Sequence, residues 1–200
     1  MGNTDKFEMI AGTYDTADRV NIAQLSSAAI REYLENTSDK TAIDFGCGTG
    51  LVGLELVQDF KSMLFLDTSP NMLKEIERKL ADSAIQNAKT ICFDFEHDNR
   101  MDLRADYILM AQVLLHIPDV ETLLSRLYNV LHPGGHLIIV DFDKNEAVVS
   151  DIVHPGFEQD ELTRLMTNLG YGHIQSKTFY TGRKLFMGQD ASMFILDAQK

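Results

Sequence analysis

Residues 42–50 read Ala-Ile-Asp-Phe-Gly-Cys-Gly-Thr-Gly. An apolar strand (Ala42, Ile43, Phe45) runs into glycines at alternate positions, Gly46, Gly48 and Gly50, and a helical pattern starts at Leu51. Glycine lacks a Cβ, so a chain built this way can turn sharply and bring its backbone close to a ligand. A glycine-rich turn between strand and helix is the local design of a nucleotide-type pocket. The spacing narrows the choice. A dinucleotide fingerprint requires Gly-x-Gly-x-x-Gly, and counted from Gly46 the last of those positions is Leu51. Asp44, just before the turn, places a carboxylate where a pyrophosphate would be repelled. A ligand carrying a cationic group suits that position better.

The chain has 200 residues, enough for one ordinary domain with a real core. Its 18 basic and 30 acidic residues give a formal charge of −12. That argues against a general nucleic-acid surface, which needs a basic stripe. The two cysteines, Cys47 and Cys92, form no metal-spaced pair. No basic start with an apolar h-region reads as a signal peptide, and Lys6 breaks a myristoylation pattern. No apolar run approaches the roughly 20 residues of a membrane span. These features fit a reducing, cytoplasmic setting. Ligand spacing gives no support for a metal at Asp141, Asp143 and His154, so no metal is expected.

The N-terminal segment is polar to about Phe7, and a helical pattern covers Ala17 to Leu34. Strand-like runs follow at 41–45, 62–66, 89–93, 105–111 and 135–142, with helical runs at 51–59, 70–83 and 119–132. Strands alternating with helices imply right-handed βαβ units and a parallel sheet. Ser69-Pro70 reads as an N-cap with proline at the first helical position, and Pro118-Asp119 begins another helix. Leu131-His132-Pro133-Gly134-Gly135 closes that helix and launches the next strand. Past residue 143 a loop to about Phe157 leads to a helix at 158–169 and strands near 172–181 and 191–198, an antiparallel pair. The fold class expected is α/β: a Rossmann-like, mostly parallel seven-stranded sheet with an antiparallel C-terminal hairpin and helices on both faces. A single domain over 1–200 is expected, with an N-terminal helical lid or substrate segment (1–38), a cofactor-binding core (39–143) and a C-terminal helix and hairpin (144–200).

The loop Asp44-Phe45-Gly46-Cys47-Gly48-Thr49-Gly50 resembles motif I of the class I S-adenosylmethionine-dependent methyltransferases, and the resemblance extends from about Phe7 to Ala198. It is nearest to the small-molecule, quinone-biosynthesis-like group. The resemblance implies S-adenosyl-L-methionine as cofactor, with Asp44, Gly46, Cys47, Gly48 and Gly50 under its amino-acid end. Asp67 ends the second strand, 21 residues after Gly46, the distance at which a carboxylate can accept both ribose hydroxyls. Thr68 and Met72 would flank the adenosine. Asp94, after the third strand, stands where the family commonly contacts the adenine amino group, and Phe93 and Phe95 could pack on the ring; Glu96, His97 and Asp98 read as a solvated turn.

The fourth strand runs into Ala111-Gln112-Val113-Leu114-Leu115-His116, resembling motif IV of small-molecule methyltransferases. Ala111 and Gln112 should line the methionine portion, and His116 is the best acceptor-side polar group. Ala11-Gly12-Thr13-Tyr14-Asp15 resembles the A-x-x-Y-D opening of the quinone-biosynthesis group, which makes Tyr14 and Arg19 cofactor candidates. His154 could face the acceptor from across the pocket. His116 and His154 are the candidate catalytic groups. The implied reaction is methyl transfer to a small-molecule acceptor by a monomer or homodimer. The alternatives are a protein or nucleic-acid methyltransferase, whose amino-methylating branch usually carries an Asn/Asp-Pro-Pro-Tyr/Phe-like motif absent here, and a non-catalytic cofactor-binding module on the same fold.

Overall fold

The computed structural model describes residues 4–94 and 103–200. Helices α1 (Thr4–Ile10) and α2 (Ala17–Arg31) come first, then strand β1 (Thr41–Phe45) and the glycine loop. After it come α3 (Gly53–Leu56), β2 (Ser62–Asp67), α4 (Pro70–Asp82), β3 (Ala88–Cys92), β4 (Ala105–Ala111) and α5 (Val120–Val130). The chain ends with β5 (Leu131–Phe142), α6 (Gln159–Asn168), β6 (Gly172–Phe186) and β7 (Gln189–Gln199). The seven strands form one sheet in the order β3-β2-β1-β4-β5-β7-β6. Strands β1 to β5 pair in parallel, and β7 is antiparallel to both β5 and β6. The fold class read from the sequence is the one observed.

Side-chain alternation along the strands divides the core in two. Ala42, Met63, Phe65, Tyr107, Leu109, Ile138, Val140, Met193 and Ile195 face α2, α3 and α4, meeting Ile30, Leu56, Leu73, Ile76 and Leu80. Ile43, Leu66, Ile108, Met110, Leu137, Ile139, Phe194 and Leu196 face α5 and α6, meeting Leu124, Leu127, Leu162 and Met166. Each Val, Leu, Ile, Phe or Met side chain among them, fully buried, contributes about 1.5–3 kcal/mol. Helix starts carry caps: the Thr16 and Ser69 hydroxyls accept from the Arg19 and Met72 amides, and Asp119 accepts from the Thr122 amide. Pro70 holds the first turn of α4, as its sequence position implied.

The strand order reverses between β1 and β4, both starting chains that cross over in opposite directions. A cleft for a ligand belongs at this switch point, beyond the carboxyl ends of the parallel strands. Two differences from the sequence reading have physical causes. First, β5 begins at Leu131 rather than at 135, because Leu131 pairs with Ala105 before the chain loops out over Pro133 and Gly134. The loop is tied to the far end of β7 by Gly134 N–H to Lys200 O and Lys200 N–H to Gly135 O, both 2.9 Å. Second, the polar opening residues form α1, held by tertiary contacts rather than by an apolar stripe.

Candidate functional site

The loop after β1 turns through three left-handed glycines: φ is +67° at Gly46, +53° at Gly48 and +78° at Gly50. At Gly46 the space is also closed, since a Cβ there would lie 2.7 and 2.8 Å from the Val113 methyls. Only glycine meets both conditions. The loop is tied back to β2 by Cys47 N–H to Leu66 O (3.0 Å) and closed on itself by Gly50 N–H to Cys47 O (2.8 Å). Cys47 is half-buried, and burial holds its thiol well above the ordinary range, so it stays protonated and inert.

Beneath and beside this loop lie two carboxyls. Asp44, 3% exposed on β1, has one oxygen, Oδ2, buried without a hydrogen-bond partner. It packs against Gly53, where any Cβ would collide with Oδ2. Burial, then the neighbouring Asp67 charge, raise its pKa to about 7, with the Gly53 amide offsetting part of the shift. Asp67 ends β2. Its Oδ2 accepts from the Gly48 amide and its Oδ1 from the Ser69 amide, both at 2.8 Å. Burial raises its pKa, opposed by these amides and by that of Thr68. Two carboxyls under a loop of positive-φ glycines suit a ligand with a cation, and each carboxylate oxygen of Asp67 keeps a lone pair for a further donor.

The N-terminal segment packs over the same end of the sheet. The Ser69 hydroxyl and the Asn71 amide (3.2 Å) both donate to Glu8 Oε2. Asp15 accepts from Thr49 Oγ1 at 2.5 Å and pairs with Lys79 Nζ at 2.7 Å, and Lys79 also donates to Thr49 O at 2.7 Å. Between these two anchors Tyr14 approaches the loop, its Cε1 lying 4.0 Å from the position of a Cβ on Gly48. The Arg19 guanidinium lies 4.2 Å over the Tyr14 ring and donates to the Tyr14 carbonyl at 2.8 Å. Burial raises the Tyr14 phenol pKa, so it is a neutral hydrogen-bonding group at physiological pH. Tyr14 and Arg19 are thus brought to the glycine loop as one unit. Glu8, Phe7 and Asp15 join them; Asp15 stood in the A-x-x-Y-D opening, whereas no motif signal marked Phe7 or Glu8.

Beyond β4 the chain strains. Gln112 adopts φ +56°, left-handed for a residue with a side chain, and its amide donates to Val140 O at 2.7 Å. Such conformations gather at functional sites because their cost must be met by surrounding structure. Ala111 and Gln112 are half-buried at this strand end, followed by a 3-10 turn, Leu114–His116. The His116 ring meets Phe7 edge-on, with centroids 5.3 Å apart, and Phe7 in turn meets Tyr14 at 6.2 Å. His154, on the loop between β5 and α6, donates its backbone N–H to Leu115 O at 2.8 Å and stacks on Phe157 at 5.2 Å. Both candidate histidines therefore flank the same turn.

The other positions are placed as follows. Thr68 is exposed beside Asp67, and Asp94 is half-buried just after β3. Met72 is 1% exposed and Phe93 4% exposed, so both side chains pack inward among core residues. Phe95, with Glu96, His97 and Asp98, lies outside the described residues. Asp143 accepts from Gln159 Nε2 at 2.6 Å and from Thr178 Oγ1 at 2.8 Å, which engages it in structure between β5 and β6. Among the described residues no group of three or more His, Cys, Asp or Glu side chains has metal-site geometry. No helix among them is long and apolar enough to cross a membrane.

Residues 43–137, which carry the glycine loop and β2 to β4, match the family described as a methyltransferase domain. The chain is similar to demethylmenaquinone methyltransferase of Oceanobacillus iheyensis, 27% identical over 146 residues, 68% of this chain and 59% of that protein. It covers less than two thirds of the length of this and similar curated relatives. Its fold is similar to a Thermotoga maritima protein described as a methyltransferase, possible histamine N-methyltransferase, with a TM-score of 0.73 at 18% identity, covering 98% of this chain and 99% of that one. It is also similar to Haemonchus contortus phosphoethanolamine N-methyltransferase 2, solved with S-adenosyl-L-methionine, with a TM-score of 0.71 at 14% identity, covering 97% of this chain and 60% of that one. At these identities the structural likeness speaks for the fold. Residues 43–137, with the glycine loop, thus match a methyltransferase domain, and the sheet as a whole is similar in fold to solved methyltransferases.

Proposed function

We propose that this protein binds S-adenosyl-L-methionine over its glycine loop and transfers the methyl group to a small-molecule acceptor. The observation that carries the reading is the join between loop and strand tip: Gly48 N–H donating to the half-buried Asp67 carboxylate, with the buried Asp44 carboxyl just beneath. The residues fit the cofactor. Asp67 has lone pairs free for the two ribose hydroxyls, Asp94 stands beyond the next strand for the base, and the Asp44–Asp67 pair gives a field that favours a cationic amino-acid end. Thr68, Ala111 and Gln112 border the same space, and Tyr14 with Arg19 covers it.

The bound cofactor supplies a methyl group already activated by its sulfonium charge, so the hard chemistry is its own. The chain's residues supply orientation and the exclusion of water. Holding an acceptor in line with a fixed donor contributes several kcal/mol. Phe7 and Tyr14, anchored through Glu8 and Asp15, shield the site. His116 and His154 face the acceptor side; either would take a proton only from an acceptor that keeps one at neutral pH. A small apolar or aromatic acceptor suits the ring-lined wall formed by Phe7, His116, His154 and Phe157. The charge of −12 disfavours nucleic acid as substrate. A single domain acting as monomer or homodimer in the reducing cytoplasm fits two free cysteines.

The test is incubation of the purified chain with methyl-labelled cofactor and a panel of quinone precursors, phosphobases and aromatic amines. Label appearing in one acceptor class supports the reading. Cofactor binding without transfer to any of them, or to protein and RNA controls, would favour a non-catalytic binding module.

A further inference from the structure

The β5 residue Asp141 is wholly buried, yet it is a carboxylic acid in the middle of an apolar sheet. A group so placed is costly unless its oxygens are engaged. They are. Oδ1 accepts from the Phe142 amide at 2.8 Å, and Oδ2 from the Leu115 amide at 3.2 Å, with the Leu114 amide also turned toward it. The first bond stays within β5. The other two leave it and grip the 3-10 turn that ends in His116.

Leu115 is the meeting point. Its N–H is held by Asp141, and its carbonyl is held by the His154 backbone N–H at 2.8 Å. His116 follows it directly in the chain. The loop bearing His154 is pinned at its base, where Asn145 N–H donates to Pro155 O at 2.7 Å and Phe157 N–H to Phe142 O at 2.9 Å, the latter one residue from Asp141. One side chain thus sets the turn that carries His116 and to which the His154 loop is tied. The acceptor of the Leu115 amide is Asp141 Oδ2.

We propose that Asp141 is a positioning residue of the acceptor side, holding His116 and His154 in register through the Leu115 peptide. This rests on the reading of those histidines as acceptor-facing groups. Asp141 touches neither cofactor nor acceptor. An isosteric amide could accept through only one oxygen, so Asp141→Asn must release either the Phe142 bond or the turn.

The experiment compares the unaltered chain with Asp141→Asn by NMR, following the histidine ring Cε1–H signals and amide exchange, with cofactor affinity measured alongside. The expected result is that the His116 and His154 signals both move, those of His132, His136 and His173 stay, and Leu115 amide exchange quickens about tenfold or more. A purely structural role would move all the signals or none. A folded variant with the His116 and His154 signals in place overturns the proposal. Should the variant fail to fold, the unaltered chain decides: Leu115 amide exchange as slow as that of Val140 supports the bond to Asp141, and exchange at loop rates overturns it. Loss of cofactor binding in the unaltered chain would instead strike the methyltransferase reading and leave the positioning result standing.

Discussion

The Gly48 amide donates to Asp67 Oδ2 at 2.8 Å, so the glycine loop and the tip of the second strand are one hydrogen-bonded unit. This ties two motifs read separately in the sequence. Asp67 thus fixes the loop, and the proposed function adds a second role, acceptance from the ligand. Asp67→Ala is expected to weaken S-adenosylmethionine binding by about 1.5–3 kcal/mol, the range for hydrogen bonds to a charged group. Asp67→Asn is expected to fall between, because its single oxygen can serve only one of the Gly48 and Ser69 amides. Isothermal calorimetry on both variants checks this; affinities equal to that of the unaltered chain would remove Asp67 from the site.

Gly46→Ala is expected to destabilise the fold by about 2–3 kcal/mol, from left-handed backbone strain plus the clash with Val113. Adding Val113→Ala removes the clash and leaves the strain, so the double variant is expected to recover part of the loss. Urea melts of the two chains and the parent measure it. A Gly46→Ala chain as stable as the parent would show that the loop does not hold this conformation.

Asp44 and Asp141 both have pKa values raised to about 7 by burial. An unfolded aspartate titrates near 3.9. Between these values the folded chain holds more protons than the unfolded one, so stability must fall as pH rises from about 4 to about 7 and level off above. Asp106 and Asp119 have lowered pKa values, which cost stability only below about pH 4, outside this window. Denaturant melts of the ligand-free chain at pH 5 and pH 8 are therefore expected to show lower stability at pH 8. Asp44→Asn should lessen the difference; a variant with the parent's full slope would contradict the assignment.

The N-terminal segment is fastened at two points, Glu8 on Ser69 and Asn71, and Asp15 on Thr49 and Lys79. Tyr14→Ala, between them, removes an apolar face from above the loop and is expected to speed cofactor release by about tenfold or more, from the loss of one buried aromatic contact. Stopped-flow release from the parent and the variant tests the point. Equal release rates would show that Tyr14 does not cover the ligand.

Much of this was legible because the signals are local. The capping of α4 by Ser69 and Pro70, the limits of β1 and β4, and the glycine turn each follow from a handful of adjacent residues whose preferences agree. What escaped depends on distant partners. α1 has little apolar periodicity; it is held because Glu8 accepts from the Ser69 hydroxyl and the Asn71 amide at the start of α4, 61 and 63 residues away in sequence. The strain at Gln112 is invisible in a residue type that seldom adopts positive φ. Asp141 reads as the polar end of an apolar strand, and only the return of residues 114–115 across β5 shows that its carboxyl has work to do. Met72 and Phe93 are also buried, at 1% and 4% exposure, a packing set by the sheet and helices around them that no adjacent residues reveal.

The central claim is that this loop and its carboxylates recognise a sulfonium nucleoside rather than a dinucleotide. Titration of S-adenosylmethionine, and separately of its demethylated product, into the unaltered chain measures it most directly, with NAD as the comparison. The account expects one-to-one binding heats with both nucleosides and none with NAD. A folded chain that gives heat with NAD, or none with either nucleoside, would contradict it.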